Sequence, residues 1–206
     1  ELISTDAGFY RRLDQLDRLM RHSDKAGAFT PLTESRRQCP QDCGLCPAHH
    51  SATLMTVMDI TNRCNLRCPV CFANATASGR VVEMPLEMIK ELIAASVAAN
   101  GTGAPCIQFS GGEPTIHPQF LEAVREAKRA GYAQIQIASN GLTFARDAGY
   151  AAAAAEAGLN VIYLQFDGVD DSIYMKTRGR ALWDLKQQAV ENICKAGMEI
   201  MLVPTL

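Results

Sequence analysis

Six of the eight cysteines fall in two tight triplets, Cys39/Cys43/Cys46 and Cys64/Cys68/Cys71, each spaced C-x3-C-x2-C. Such spacing suits one polynuclear metal site better than loop-closing disulfides. Three thiolates can hold three irons of a [4Fe–4S] cluster and leave the fourth iron open to a bound molecule. A zinc knuckle, or a cluster that only carries electrons, would use the same ligand types. For the first triplet the zinc alternative is a structural site completed by His49 or His50. Thiol ligands in this number imply a reducing compartment, and so a cytoplasmic protein.

A second chemical signal is Ser110-Gly111-Gly112-Glu113-Pro114-Thr115. Paired glycines carry no Cβ and let backbone come close to a ligand. Glu113 adds a carboxylate suited to a cationic group. An ordinary turn with a solvated glutamate is the plainer alternative.

These groups need elements to hold them. From residue 54 onward, apolar patterning predicts strands at 54–60, 106–110, 133–138, 161–166 and 199–203. Helices are predicted at 85–99, 118–130, 144–157 and 182–196, each followed by a glycine. Alternation of this kind predicts an α/β fold with a parallel sheet and right-handed crossovers. In such folds function gathers at the carboxyl ends of the strands. Reading those ends in order gives the second cysteine triplet, the Gly-Gly-Glu stretch, Ser139-Asn140-Gly141, Gln165-Phe166-Asp167-Gly168 and Pro204-Thr205.

Residues 1–30 are polar, with one short amphipathic helix expected around Leu13–Met20, and residues 31–52 read as an irregular, ligand-held segment. The chain therefore divides into an N-terminal segment, 1–52, and a core, 53–206. The 206 residues are 48% apolar and 20% charged, a globular composition. Formal net charge is −2, from 20 basic and 22 acidic residues, which gives no reason to expect a nucleic-acid partner. No apolar run approaches the roughly 18–20 residues of a membrane span. The chain does not open on Met and ends just after its fifth strand, so a fragment of a larger enzyme is expected.

Taken together, Cys64-x3-Cys68-x-Val70-Cys71 at the first strand's end and Gly111-Gly112-Glu113-Pro114 at the second resemble the radical S-adenosylmethionine (SAM) superfamily. The resemblance covers 54–206. It implies a partial (β/α)6-type barrel, here truncated after the fifth strand. It also implies a [4Fe–4S] cluster on Cys64, Cys68 and Cys71 whose open iron binds the amino and carboxylate groups of SAM. One electron from that cluster then releases methionine and a 5′-deoxyadenosyl radical, which takes a hydrogen atom from substrate. By the same resemblance Val70 and Phe72 lie near the adenine, and Glu113 with its glycines receives the methionine ammonium. Gln165 and Asp167 contact the ribose or carboxylate, while Ser110, Ser139 and Asn140 line the mouth.

The pair of triplets, with Thr61-Asn62-Arg63 between them and Arg178-Gly179-Arg180 later, resembles a narrower group. It contains the tetraether lipid synthase and methyltransferases of methanopterin biosynthesis. That resemblance implies a second [4Fe–4S] cluster on Cys39, Cys43 and Cys46. It also implies a small-molecule or lipid substrate and an electron donor such as ferredoxin or flavodoxin. The reaction is either carbon–carbon coupling of lipid chains or methyl transfer to a pterin; a non-catalytic iron–sulfur or zinc module is the reading from another class. Cys106 and Cys194 are expected to be buried inert thiols, His117 a turn residue, His22 solvated, and Arg178 either a SAM or substrate contact or a surface residue.

Overall fold

The computed structural model describes residues 54–71, 73–75, 79–100 and 106–205. The first triplet, the N-terminal segment with its domain boundary, and Phe72 lie outside them.

Five strands alternate with helices. They are β1 (Met55–Thr61), α1 (Leu86–Asn100), β2 (Cys106–Gly111), a 3-10 turn (Pro114–Ile116), α2 (Phe120–Arg129) and β3 (Gln134–Ser139). Next come α3 (Leu142–Arg146), α4 (Ala148–Ala157), β4 (Val161–Gln165), α5 (Asp171–Arg178), α6 (Trp183–Lys195) and β5 (Glu199–Val203). All neighbouring strands pair in parallel, in the order β1-β2-β3-β4-β5. Sequential order without reversal is that of a barrel wall; a doubly wound sheet would turn back at its first strand. The expected α/β partial barrel is the fold observed.

Strand alternation sends one set of side chains to the helices. Ile60, Ile107, Phe109, Ile137 and Ile162 are fully buried against Ile89 of α1, Phe120 and Val124 of α2, Ala151 and Ala154 of α4, and Ala189 and Ile193 of α6. Phe109 and Phe120 meet edge to face with centroids 5.8 Å apart. Burial of each such large side chain stabilises the fold by about 1.5–3 kcal/mol. The opposite, concave face carries Val57 and Asp59 of β1, Gln108 and Ser110 of β2, Gln136 of β3, and Tyr163 and Gln165 of β4.

Two expected elements differ. The helix expected over 144–157 begins earlier and breaks at Asp147, whose extended backbone ends α3 and whose carboxylate caps α4 by accepting from Tyr150 N. Helix α5 is an addition. Its start is signalled by Asp170, which accepts from Ser172 N and Ile173 N, and its end by Gly179. Its polar composition hides the apolar stripe by which a helix is recognised.

Candidate active site at the carboxyl ends of the strands

The loop that carries the second triplet begins at an irregularity in β1. Register slips between Asp59 and Thr61, so that Asp59 lies opposite Ser110 and Thr61 opposite Gly111. The extra residue swings the Thr61 and Arg63 carbonyls onto the end of β2. Gly112 N donates to Thr61 O at 2.7 Å and Glu113 N to Arg63 O at 2.8 Å. The paired glycines make this possible: a Cβ on Gly111 would sit 2.1 Å from Thr61 O, and one on Gly112 2.1 Å from Arg63 O. The close approach expected for a ligand is thus taken, on this side, by the chain's own loop stem.

A returning segment clamps the other side of that stem. Asn62 donates from its backbone to Val82 O and from Nδ2 to Arg80 O, while its Oδ1 accepts from Val82 N. Arg63 pairs with Glu83 at 2.7 Å. His117, expected as a turn residue, is buried at the C-terminal end of the 3-10 turn, with Nε2 2.9 Å from Met84 O.

Cys64, Cys68 and Cys71 are all half-buried. Leu66 N donates to Cys64 Sγ at 3.4 Å, and Cys71 N to Cys68 O at 3.2 Å, which coils the loop around its thiols. Burial pushes the Cys64 thiol up, and the charges of Glu113, Cys68 and Cys71 add to the rise. Among the described residues no three metal-binding side chains converge as one ion requires. A single zinc needs its sulfurs all within about 2.3 Å of one point. A four-iron cluster takes one thiolate per iron, and the second triplet offers three half-buried cysteines on one loop.

Glu113 is wholly buried, and both of its carboxylate oxygens are engaged. Oε1 accepts from Thr115 N, Thr115 Oγ1 and Ser139 Oγ, and Oε2 from Asn140 N at 2.7 Å. Burial raises its pKa and these hydrogen bonds oppose the rise. The family resemblance assigns this carboxylate to a ligand's ammonium; in the structure four protein donors stand around it.

Asn140 joins the parts. Its Nδ2 donates to Asn65 Oδ1 at 2.7 Å and approaches Cys64 Sγ at 3.9 Å, and its Oδ1 accepts from Leu142 N. Its carbonyl accepts from Lys186 Nζ at 2.6 Å. Lys186 is fully buried and also donates to Gln165 O and Gln165 Oε1, each at 2.7 Å, below the Tyr174 ring. Burial lowers its pKa to about 8. Sequence reasoning gave Lys186 no role, because a lysine on an amphipathic helix reads as part of its solvated face. Gln165 Nε2 is buried without a partner in hydrogen-bonding geometry, though near enough to Asp167 to favour that carboxylate.

Asp167 and Arg178 form a buried pair. Arg178 Nε donates to Oδ2 at 2.6 Å and Nη2 to Oδ1 at 2.7 Å, with side chains 0% and 9% exposed respectively for Asp167 and Arg178. Burial works against ionisation of Asp167, but Arg178 and Thr177 outweigh it and hold the carboxyl far below its ordinary range. The guanidinium also lies close enough to the Cys68 sulfur for the two to favour each other's charged forms. Tyr174, Leu182, Leu142 and Leu66 pack together, with Cys64 and Cys68 against them. The chain from α5 to α6 is therefore the cradle of the cysteine loop. Of the remaining expected residues, Ser110 is half-buried, Val70 is 47% exposed, Cys106 is buried as expected, and Cys194 is exposed. The expectation for Cys194 fails because α6 turns Ile193, its neighbour, to the core.

Residues 58–206 match the Radical SAM superfamily. The chain belongs to that superfamily. A SAM-binding iron–sulfur enzyme is thus its class. Among curated relatives, the chain is 43% identical over 175 residues to the 7,8-dihydro-6-hydroxymethylpterin dimethyltransferase of Methanocaldococcus jannaschii, covering 84% of this chain and 34% of that protein. It is 32% identical over 126 residues to the probable GTP 3′,8-cyclase of Methanothermobacter thermautotrophicus, covering 61% and 39%. The chain therefore spans little more than a third of the length of these relatives. Methylornithine synthase shares the fold with a TM-score of 0.58 at 20% identity, over 73% of this chain and 44% of that one. So does native anSMEcpe with bound AdoMet, at 0.58 and 19%, over 73% and 43%. Among the described residues no helix is long and apolar enough to cross a membrane.

Proposed function

We propose that this radical SAM protein methylates a pterin-type substrate. The observation that carries the reading is the 43% identity to a relative named as a dihydro-hydroxymethylpterin dimethyltransferase, spread over 84% of this chain. Coupling of lipid chains rests on the sequence resemblance alone and takes second place.

In this reading Cys64, Cys68 and Cys71 hold the [4Fe–4S] cluster at which SAM is reductively cleaved, supplying a 5′-deoxyadenosyl radical. The chain's own residues position the reactants. Gly112 and Glu113 lock the cysteine loop to β2, and Asn140 ties Glu113 to the loop's Asn65. Ser139, Gln165, Val70 and Phe72 are the proposed contacts to SAM, with Asp167 acting through Arg178 and Ser110 at the border between SAM and substrate. The segment 1–52 is a separate unit whose Cys39, Cys43 and Cys46 hold a second cluster, and ferredoxin or flavodoxin supplies the electron.

The test is anaerobic incubation of the iron-loaded, full-length protein with a low-potential reductant, SAM as radical source, 7,8-dihydro-6-hydroxymethylpterin, and a methyl donor, either further SAM or a reduced one-carbon carrier. Mass spectrometry should find 5′-deoxyadenosine together with a pterin heavier by one methylene unit for each methyl gained. Formation of 5′-deoxyadenosine with the pterin untouched under every donor condition would leave the radical chemistry and remove the substrate.

A further inference from the structure

The concave face of the sheet carries a polar set that the cysteine loop and its supports do not use. Asp59 of β1 is exposed on that face, and no hydrogen bond or ion pair engages it among the described residues. Ser110 lies directly opposite it on β2, and Gln108 sits one step lower, opposite Val57. Gln108 Oε1 is occupied, accepting from Gln136 Nε2 at 3.0 Å, which leaves the Gln108 amide nitrogen as a donor toward the open face. Gln136 is 1% exposed, held also against Met55 Sδ, and its Oε1 is buried without a partner. Adjacent strands are about 4.8 Å apart and residues rise about 3.3 Å along each, so these side chains reach one small planar group.

We infer that Asp59, with Ser110 and Gln108 beside it, is the recognition edge for the 2-amino-4-oxo side of a pterin-type ring. That side presents two donors next to each other, the 2-amino group and N3–H, followed by the O4 acceptor. A carboxylate accepts two adjacent donors through its two oxygens, and a serine hydroxyl or amide nitrogen donates to the oxygen next to them. The protein set thus reads acceptor, acceptor, donor where the ring reads donor, donor, acceptor. Gln136 fixes the Gln108 amide with its nitrogen outward. The position also suits the chemistry: Asp59 lies opposite Ser110, the residue before Gly111 and Gly112, so a ring anchored there lies beside the SAM-binding motif. Lipid chains have no edge that would use this set. The inference rests on the pterin reading above and assigns the residues that select within it.

Binding decides the question, using the full-length, iron-loaded protein with SAM present. The probes are 7,8-dihydro-6-hydroxymethylpterin and its 2,4-dioxo analogue, followed by ring fluorescence. Wild type should bind the pterin at least about tenfold more tightly than the dioxo analogue, because the analogue sets an acceptor against the carboxylate. Asp59→Asn should lose about tenfold or more in pterin affinity and lose or invert the preference, since its amide can donate to the 2-oxo group. Its iron content and SAM affinity should equal those of wild type. An unchanged pterin affinity in Asp59→Asn, or equal binding of the two probes by wild type, overturns the assignment while leaving pterin methylation in place. Absence of any pterin binding to wild type would overturn both.

Discussion

Arg178 meets Asp167 in a two-pronged ion pair, at 2.6 and 2.7 Å, directly behind the loop that carries Cys68. The pair is also the hinge pin of the sheet's end: Arg178 Nη2 donates to Thr205 Oγ1 at 2.7 Å and Thr205 N to Asp167 Oδ1 at 3.1 Å. One salt bridge thereby links β4, the end of α5 and the exit of β5 to the cysteine loop.

Replacing one partner of a buried pair leaves a charge without compensation. Arg178→Met is expected to destabilise the fold by about 3–5 kcal/mol, and Arg178→Lys by less. The pH dependence has a definite sign. Because the folded-state pKa of Asp167 is depressed, its contribution is fully present above the unfolded pKa of about 3.9 and is lost as pH falls below it. Urea titrations of metal-free wild type and Asp167→Asn should therefore converge between about pH 5 and pH 2. A gap that stays constant across that range would contradict the pairing.

The guanidinium's proximity to Cys68 has a separate consequence. A positive group beside a cluster ligand stabilises the more negative, reduced state, so Arg178→Gln should lower the midpoint potential of the iron-loaded protein. A potentiometric titration followed by electron paramagnetic resonance reads this directly. Equal potentials in variant and wild type, at equal iron content, would place the arginine outside the cluster's environment.

Gly112 is expected to tolerate no side chain. A Cβ there meets Arg63 O at 2.1 Å, and that carbonyl belongs to the stem of the cysteine loop. Gly112→Ala must push the stem away, at roughly 1–3 kcal/mol of strain. The measurable result is reduced iron per chain after anaerobic reconstitution, with the sheet's circular dichroism retained. Wild-type iron content in this variant would show that the loop does not depend on the contact.

The sheet and the cysteine loop were legible because local pattern carries them: period-two apolar strands, glycines after helices, and ligand spacing within eight residues. Glu113 and Asn140 were legible as residues of strand ends, but not their contact. Their partners lie 26 and 27 positions apart in the chain, at Ser139 and Asn140 for Glu113, and only the parallel crossover brings them together. Lys186 left no trace, since nothing in a helix of mixed polarity marks which cation turns inward. Helix α5 was lost for the opposite reason: its apolar residues, Ile173, Tyr174 and Met175, are consecutive and show no helical stripe, and the capping Asp170 and the closing Gly179 were the usable signs.

Lys186 gives a second pH test with the opposite chemistry. Its folded-state pKa of about 8 lies below the ordinary lysine value, so between about pH 8 and pH 10.4 the unfolded chain binds more protons than the folded one. Stability attributable to this residue must rise with pH across that window. The urea midpoint of wild type should gain on that of Lys186→Met as pH goes from 7.5 to 9.5, by up to about 3 kcal/mol over the whole window. Comparison with the variant cancels the thiols that titrate nearby. A difference that shrinks as pH rises would show that the ammonium is the favoured buried form.

Glu113 separates two accounts of the Gly-Gly-Glu stretch. If its carboxylate served chiefly as a ligand for the SAM ammonium, Glu113→Gln would weaken SAM binding and leave the SAM-free protein as stable as before. The structure points to a different expectation. Four protein donors converge on the two oxygens, from Thr115, Ser139 and Asn140, and an amide can accept at only one end. The NH2 of a glutamine would face at least one N–H or O–H donor. Leaving a buried donor unmatched costs about 1–3 kcal/mol, so Glu113→Gln should destabilise the SAM-free protein by that amount. The loss should be shared with Thr115: a double-mutant cycle between Glu113→Gln and Thr115→Val should show a coupling of about 0.5–3 kcal/mol. Weaker SAM binding follows as a second effect, because Asn140 N is released and Asn140 orients the loop that bears Cys64. Unchanged stability in the SAM-free variant, with SAM affinity reduced, would restore the direct-contact account.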